Sequence, residues 1–312
     1  MTARAGAPPC AVAAAGGRVL RLGGRPWLMG VVNASPDSLS DGGPPAGVDA
    51  GVARAAALLE AGADVIDVGG ESAITGVPAL DAEEEIARVV PVVERVAGEL
   101  GAIVSVDTYK PAVARAAIAA GAALVNDVSG LRDEELATAC AETGAALVVM
   151  HTRAPPKVRR EDPALYHGDV VGDVLAFLAE RLAAARACGV GDEQLLVDPG
   201  PDFAKTPAQT AQVLVRLGEL HALGRPILLA ASRKDFIGAL TGRGPRGRLA
   251  GTLAAVGHGV DAGAHLVRVH DVGQTADFLA VRAVLRGERE VPEGLLLADE
   301  LRHERLGEGA GG

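Results

Sequence analysis

Three clusters in this chain, Asp198-Pro199-Gly200, Ser232-Arg233-Lys234 and Arg268-Val269-His270-Asp271, each follow a short aliphatic run, as do Asp107-Thr108 and Asn126-Asp127. Ionised Asp107 and Asp198 are acceptors, and Asn126 offers an acceptor and donors together. That combination suits a flat heterocycle presenting an amino group beside a ring N–H. Lys234 adds donors for a carbonyl or ring nitrogen on the far edge. Arg268 and His270 are two residues apart, so on a strand they point to one side. With a helix beginning near Gly273 they suit a phosphate or pyrophosphate. No Ser-His-Asp arrangement is evident.

These side chains need elements that bring them to one place. Short apolar runs fall at 28–32, 65–68, 103–106, 123–125, 146–150, 195–197, 227–229 and 266–269. Amphipathic stretches at 49–61, 82–98, 111–120, 133–143, 171–188, 207–223, 247–262 and 273–286 alternate with them. Near-continuous apolar strands are buried on both faces, as in a parallel sheet covered by helices. The pattern predicts an α/β protein, a (β/α)8 TIM barrel, in which active sites sit at the C-terminal ends of the strands. An open doubly wound sheet is the alternative, but no G-x-G-x-x-G follows a strand and no Walker A motif is present.

Gly62, Gly121, Gly144, Gly189 and Gly263 fall where helices should stop, and Pro111 and Pro207 near helix starts, where a missing N–H is harmless. Val19 to Leu22, Gly23-Gly24 and Arg25 to Leu28 predict an N-terminal β-hairpin with a Gly-Gly turn, capping the barrel bottom. Residues 1–17 read as a disordered extension, 18–290 as the barrel and 291–312 as a C-terminal tail.

An aspartate at a strand end is often a helix N-cap. Taken singly, Asp127 and Asp271 read as caps and Asp67 as a loop brace. As a set, Asn33, Asp67, Asp107, Asn126, His151, Asp198, Lys234 and Arg268 occupy the same end of successive strands, which a capping role does not explain. His151 reads either as a catalyst or as a buried supporting histidine. His221 and His258 fall in helical stretches and read as structural or solvated. His167 and Tyr166 receive no role, and Arg153, Lys157, Arg159 and Arg160 read as a solvated loop face. Lys205 and Arg233 read either as cations adding positive field to the site or as rim residues.

The chain has 312 residues, 49% of them hydrophobic and only 2% aromatic, so a large core must be built from Ala, Val, Leu and Ile. A net charge of −10 argues against a sequence-independent grip on nucleic acid. No stretch approaches the roughly 18 apolar residues of a membrane span, and the N-terminus lacks a convincing signal peptide. Cys10, Cys140 and Cys188 lie far apart, fitting reduced thiols in a cytoplasmic protein. No cluster has the spacing of a protein-held zinc site, so any metal is expected to arrive on substrate phosphates, as Mg2+ commonly does.

Met29-Gly-Val-Val-Asn-Ala-Ser-Pro-Asp-Ser38, with Ser40-Asp-Gly-Gly43 after it, resembles the first signature of the dihydropteroate synthases, and Gly62-Ala-Asp-Val-Ile-Asp-Val-Gly-Gly-Glu-Ser72 the second. The similarity continues in family order through Ser105-Val-Asp-Thr108, Asn126-Asp-Val128, Asp198-Pro-Gly200, Ser232-Arg-Lys234 and Arg268-Val-His-Asp271, over about residues 18–286. This resemblance implies a pterin-binding barrel that joins 6-hydroxymethyl-7,8-dihydropterin pyrophosphate to 4-aminobenzoate with Mg2+, releasing pyrophosphate. It implies that Asp107, Asn126, Asp198 and Lys234 hold the pterin and that Arg268 and His270 hold the phosphates. Asn33 would act with the metal and leaving group, and Ser232 and Phe203 would line the aminobenzoate side. Lys234, Arg268 and His270 are the implied catalytic set, and a homodimer the implied assembly.

The sequence departs from that family at one subsite. Ala73-Ile-Thr-Gly76 stands where Thr-Arg-Pro-Gly is usual, Leu39 where a phenylalanine is common, and Pro201-Asp202 precede Phe203 in place of a glycine-flanked phenylalanine. Two readings follow: a repacked aminobenzoate pocket, or a pterin-binding paralogue with a different acceptor or none. A barrel lyase using Lys234 as a Schiff-base nucleophile is disfavoured, because Lys234 is expected to follow Ser232-Arg233 beyond the strand rather than to sit buried where its pKa would fall. A transferase acting on a methylated folate would share the pterin floor, but the phosphate-type cations favour pyrophosphate chemistry.

Overall fold

A computed structural model describes residues 7–34, 47–72, 75 and 78–302. Strands β1 (Cys10–Ala14) and β2 (Arg18–Leu22) form an antiparallel hairpin. Their alternation puts Val12, Ala14, Leu20 and Leu22 on one buried face.

Eight parallel strands follow: β3 (Trp27–Asn33), β4 (Val65–Gly69), β5 (Ile103–Asp107), β6 (Leu124–Asp127), β7 (Ala146–Met150), β8 (Leu195–Asp198), β9 (Leu228–Leu229) and β10 (Leu266–Val269). They pair in the order β8-β7-β6-β5-β4-β3-β10-β9. A parallel bridge between Val197 and Ile227 joins the two ends and closes the ring. The helices between them are α1 (Val48–Glu60), α2 (Ala82–Glu99), α3 (Pro111–Ala119), α4 (Glu135–Thr143), α5 (Val170–Ala187), α6 (Pro207–Val215), α7 (Asp235–Thr241), α8 (Leu249–Asp261) and α9 (Val272–Leu285). The expected (β/α)8 barrel is the fold.

Two apolar cores follow from strand alternation. Outward residues such as Val32, Val68, Val104, Val125, Leu147 and Val269 pack under the helices. Inward residues Met29, Val65, Leu124, Ala146, Leu196, Leu228 and Leu266 meet the buried face of the hairpin. Hydrogen bonds from Ala15 N to Ala123 O (3.2 Å) and between His265 Nε2 and Pro8 O (3.2 Å) seat the hairpin on the barrel bottom.

The hairpin is present, but its partners differ from expectation. The turn is Ala15–Gly17, with Gly16 and Gly17 at φ of 72° and 69°. Trp27 and Leu28 instead pair with Leu266 and Val267 in the barrel, because an apolar run buried on both faces gains more there than in a two-stranded ribbon. The first strand therefore uses Cys10–Ala14, within the stretch read as a disordered extension; residues 1–6 of that stretch lie outside the described ones. Helix α7 was not expected, and the stretch 207–223 is α-helical only to Val215 and continues as a 3₁₀ segment, Leu217–Leu223. Pro111 and Pro207 do open their helices.

Candidate active site

Counting by twos from the apolar bottom layer places Asp67, Ser105, Asn126, Asp198 and Arg268 one step up the same inward face, with Asn33, Asp107 and His270 a step higher. Asn33 pairs in register with Gly69, Gly69 with Asp107, and Asp107 with Asn126.

Arg268 is the hub. Its Nε donates to Asp67 Oδ2 at 2.6 Å and its Nη2 to Asp107 Oδ2 at 2.7 Å. Asn126 Nδ2 donates to the same Asp67 oxygen at 3.2 Å. Burial alone would lower the guanidinium pKa; the Asp67 and Asp107 charges overcome it and hold Arg268 protonated. Burial likewise raises the Asp107 carboxyl, and Arg268 opposes the rise. Asp67 is fully buried, and its Oδ1 has no hydrogen-bond partner among the described residues.

Asp198 Oδ1 accepts from Gly200 N at 2.7 Å. Burial pushes its pKa up to about 6 against the pull of that hydrogen bond and of Lys234, Lys205 and Arg268. Lys234 precedes α7, and its ammonium sits 4.2 Å from the centroid of the Phe203 ring, a cation–π contact. Burial lowers its pKa, with Asp202 and Asp198 opposing. Ser232 Oγ lies 2.9 Å from His270 Nδ1 and accepts the His270 backbone N–H at 3.2 Å. Burial, then the Arg268 charge, pushes the His270 pKa down to about 3, so the ring is neutral.

Beneath the Asp198-Pro199-Gly200 turn lies a second polar layer. Lys205 is 1% exposed and reaches His151 Nδ1 at 2.7 Å, Gly200 O at 2.9 Å and Phe203 O at 3.2 Å. His151 Nε2 is 3.0 Å from Asp173 Oδ1, and Arg153 also pairs with Asp173. Burial, then the Lys205 charge, pushes the His151 pKa down to about 3; burial brings that of Lys205 down to about 7. His151 is thus the buried supporting histidine, and Lys205 is no rim cation.

Of the expected residues, Asp107, Asn126, Asp198, Lys234, Arg268, His270, Ser232 and Phe203 belong to one connected cluster at the barrel mouth, linked by the contacts and electrostatic couplings above. Arg268, expected among phosphates, is bonded to the floor carboxylates. Asp67 braces no loop and stands at the centre of the cluster. Its membership of the strand-end set, on the inward face two residues beyond Val65, agrees with that place. Asp127 accepts from Ser129 N and Leu131 N, bracing a turn rather than capping a helix. Asp271 precedes α9 but pairs with Arg233 (2.7 Å) and makes no cap hydrogen bond. Lys157, read as solvated, pairs with Glu71 at 3.0 Å, and Glu71 also holds Lys110 at 2.6 Å. A surface cavity of about 350 Å³ lies beside this network, lined by Tyr109, Lys110, Ser129 and Arg132 among others, and is separate from the Arg268 cluster. Leu39, Ala73 and Ile74 lie outside the described residues.

Residues 29–270 match the family described as pterin binding enzyme. The chain belongs to the dihydropteroate synthase family of pterin-binding enzymes. It is 40% identical over 256 residues to the dihydropteroate synthase of Escherichia coli K12, covering 82% of this chain and 90% of that protein. It resembles a Xanthomonas albilineans dihydropteroate synthase solved with 4-aminobenzoic acid, at 43% identity and a TM-score of 0.81, over 90% of this chain and all (100%) of that one. The same enzyme in complex with 7,8-dihydropteroate gives 41% identity and a TM-score of 0.75, over 88% of this chain and 97% of that one. The family's barrel and its motif order coincide here with the geometry built above.

Proposed function

We infer that the chain condenses 6-hydroxymethyl-7,8-dihydropterin pyrophosphate with 4-aminobenzoate, giving 7,8-dihydropteroate and pyrophosphate, in folate biosynthesis. The observation that carries this is the joining of Asp67, Asp107, Asn126 and Arg268 in one hydrogen-bonded cluster, with Asp198 and Lys234 electrostatically coupled to it. Asp198 accepts from the amino group and ring N–H of the pterin, Asn126 completes that edge, and Lys234 donates to the opposite one.

Loss of the diphosphate leaves a methylene cation stabilised by the pterin ring, so the protein need only hold the partners in line and stabilise the departing charge. The C–O bond to the diphosphate breaks with its electron pair leaving on the diphosphate, and the aminobenzoate nitrogen then bonds to the methylene carbon. The new C–N centre then sheds its proton to the leaving group. With the Ser232 hydroxyl donating to Nδ1, His270 carries its proton on Nε2 and serves as a neutral donor to a diphosphate oxygen. Arg268 supplies fixed positive charge from the floor. Phe203 and Ser232 line the acceptor side.

Among the described residues no group of three His, Cys, Asp or Glu could hold a metal ion. The Asn33 side-chain oxygen, on the inward face at the barrel mouth, would meet Mg2+ carried on the substrate phosphates. When bound, the ion supplies neutralisation of the diphosphate. The same reading carries a cytoplasmic location and a homodimer. No described helix is long and apolar enough to cross a membrane.

Purified protein given both substrates and Mg2+ should release pyrophosphate in an aminobenzoate-dependent reaction that sulfonamides inhibit. Calorimetric binding of the pterin diphosphate with no turnover would overturn the synthase reading and assign a pterin-binding relative with another acceptor.

A further inference from the structure

Asp202 stands in the turn after β8 with φ of 67°, in the left-handed region that favours glycine. The resemblance described above places a glycine there in the usual motif, so the backbone shape is retained while a carboxylate is added. That carboxylate is engaged on both oxygens. Thr210 Oγ1, on α6, accepts the Asp202 backbone N–H at 3.1 Å and donates its own proton to Asp202 Oδ1 at 3.1 Å. Asp202 Oδ2 accepts from Phe236 N, in the first turn of α7, at 3.2 Å.

The two turns thereby joined carry the two side chains that touch across the acceptor side. Phe203 follows Asp202 directly; Lys234 sits two residues before Phe236 and lies over the Phe203 ring at 4.2 Å. The Asp202 charge also favours the protonated form of Lys234, which burial disfavours.

We propose that Asp202 is a positioning residue that ties the turn bearing Phe203 to the helix start bearing Lys234 and so sets the wall against which 4-aminobenzoate packs. The tie rests on geometry alone; its effect on the acceptor rests on the function inferred above. The carboxylate thus joins the turn after β8 to Thr210 on α6 and to the start of α7 with two hydrogen bonds, beside the one its backbone N–H gives Thr210. Asparagine could reproduce the Phe236 bond, whereas glycine keeps the backbone conformation and deletes the bridge.

Amide hydrogen exchange and steady-state kinetics on full-length D202G and D202N test this. In D202G, amides of residues 200–206 and 234–238 should exchange about tenfold faster together, as expected for loss of a bridge made of ordinary hydrogen bonds. In the same variant the KM for 4-aminobenzoate should rise about tenfold, with kcat and the KM for the pterin diphosphate moving less than about threefold. D202N, which keeps an oxygen for Phe236 N, should stay near wild type in exchange. Unchanged protection of 234–238 in D202G would overturn the tie. The expected exchange with an unmoved aminobenzoate KM, or with both KM values rising equally, would overturn the positioning role. The expected exchange with no product from wild-type protein would overturn the synthase reading and leave the tie supported.

Discussion

The lower and upper halves of the barrel interior are built from the same strands, two residues apart, under opposite rules. Below, Met29, Val65, Leu124, Leu196, Leu228 and Leu266 pack against Val12, Leu20 and Leu22 of the hairpin without a charge among them. Above, Asp67, Asp107, Asp198, Arg268 and Lys234 crowd together, and the buried Asp67 Oδ1 and Ser105 Oγ lack partners among the described residues. The difference teaches where stability and chemistry reside: the sealed apolar floor holds eight strands in register so that their upper ends can keep charges in an arrangement unfavourable by itself.

The strongest way to break that comparison is Arg268→Ala, which leaves Asp67 and Asp107 facing each other without a cation. Loss of a charged group that stabilises a departing anion should lower kcat by about 10²–10³-fold, read as pyrophosphate release. Removing one partner of a buried pair costs about 3–5 kcal/mol; here urea unfolding should show less, because the Arg268 side chain is 20% exposed. Full activity in this variant would mean that the upper cluster is not the site.

Leu20→Ala probes the other half. Leu20 is 1% exposed in the hairpin plug, and a buried leucine truncation costs about 2–5 kcal/mol. Chemical denaturation should show that loss while kcat/KM per folded molecule stays within about twofold, since no reacting group is touched. A matching loss of activity would show that the floor also tunes the mouth.

This division explains which parts were legible in the sequence. Ala146–Met150 is apolar on both faces because sheet interior and helix layer both exclude water, and Leu266–Val269 is so apart from the inward Arg268, so their limits match the strands. Helix α7 escaped notice because its seven residues, closed by Gly242 in the left-handed conformation, are too few to display a period. Gly23-Gly24 carries the stronger turn signal in the sequence, whereas Ala15–Gly17, between two weaker alternating runs, makes the hairpin turn. At the site, residues at strand ends announced themselves. Asp67 belongs to that strand-end set but taken singly reads as a loop brace, and Lys205 reads as at most a rim or field cation, because a buried aspartate and a buried lysine defy the usual partition of charge to the surface.

Asp198→Asn sharpens the comparison from the upper side. The amide keeps an oxygen for Gly200 N but loses the charge, so pterin diphosphate affinity should fall about 10–100-fold by calorimetry, the worth of a charged hydrogen bond. The pH dependence separates recognition from stability. Burial raises the Asp198 pKa from 3.8 to about 6, so protonation is easier in the folded protein than in the unfolded chain. Its contribution to stability is therefore fully present below 3.8 and is lost as pH rises through about 6. Ligand affinity has the opposite sign: ring N–H donors require the carboxylate, so binding weakens as pH falls through about 6. Asp198→Asn should remove both limbs, and an unchanged acid limb in the variant would assign it to another group.

The smallest effect should come from the one charge pair tested on the floor's own edge. Arg25 contacts Asp64 with two N–H groups, at 2.8 and 2.5 Å, yet its side chain is 64% exposed. Water shares that guanidinium in folded and unfolded states alike, so Arg25→Ala should cost less than about 1 kcal/mol in urea unfolding. Asp64→Ala should cost more, about 1–3 kcal/mol, because Asp64 Oδ2 also accepts the Leu28 N–H at 2.9 Å and Leu28 is 3% exposed. At this rim the carboxylate is structural through the backbone it satisfies, and the arginine is incidental. At the mouth the arginine is the centre of the cluster. If Arg25→Ala and Arg268→Ala destabilised equally, height along the barrel would not determine what a charge is for.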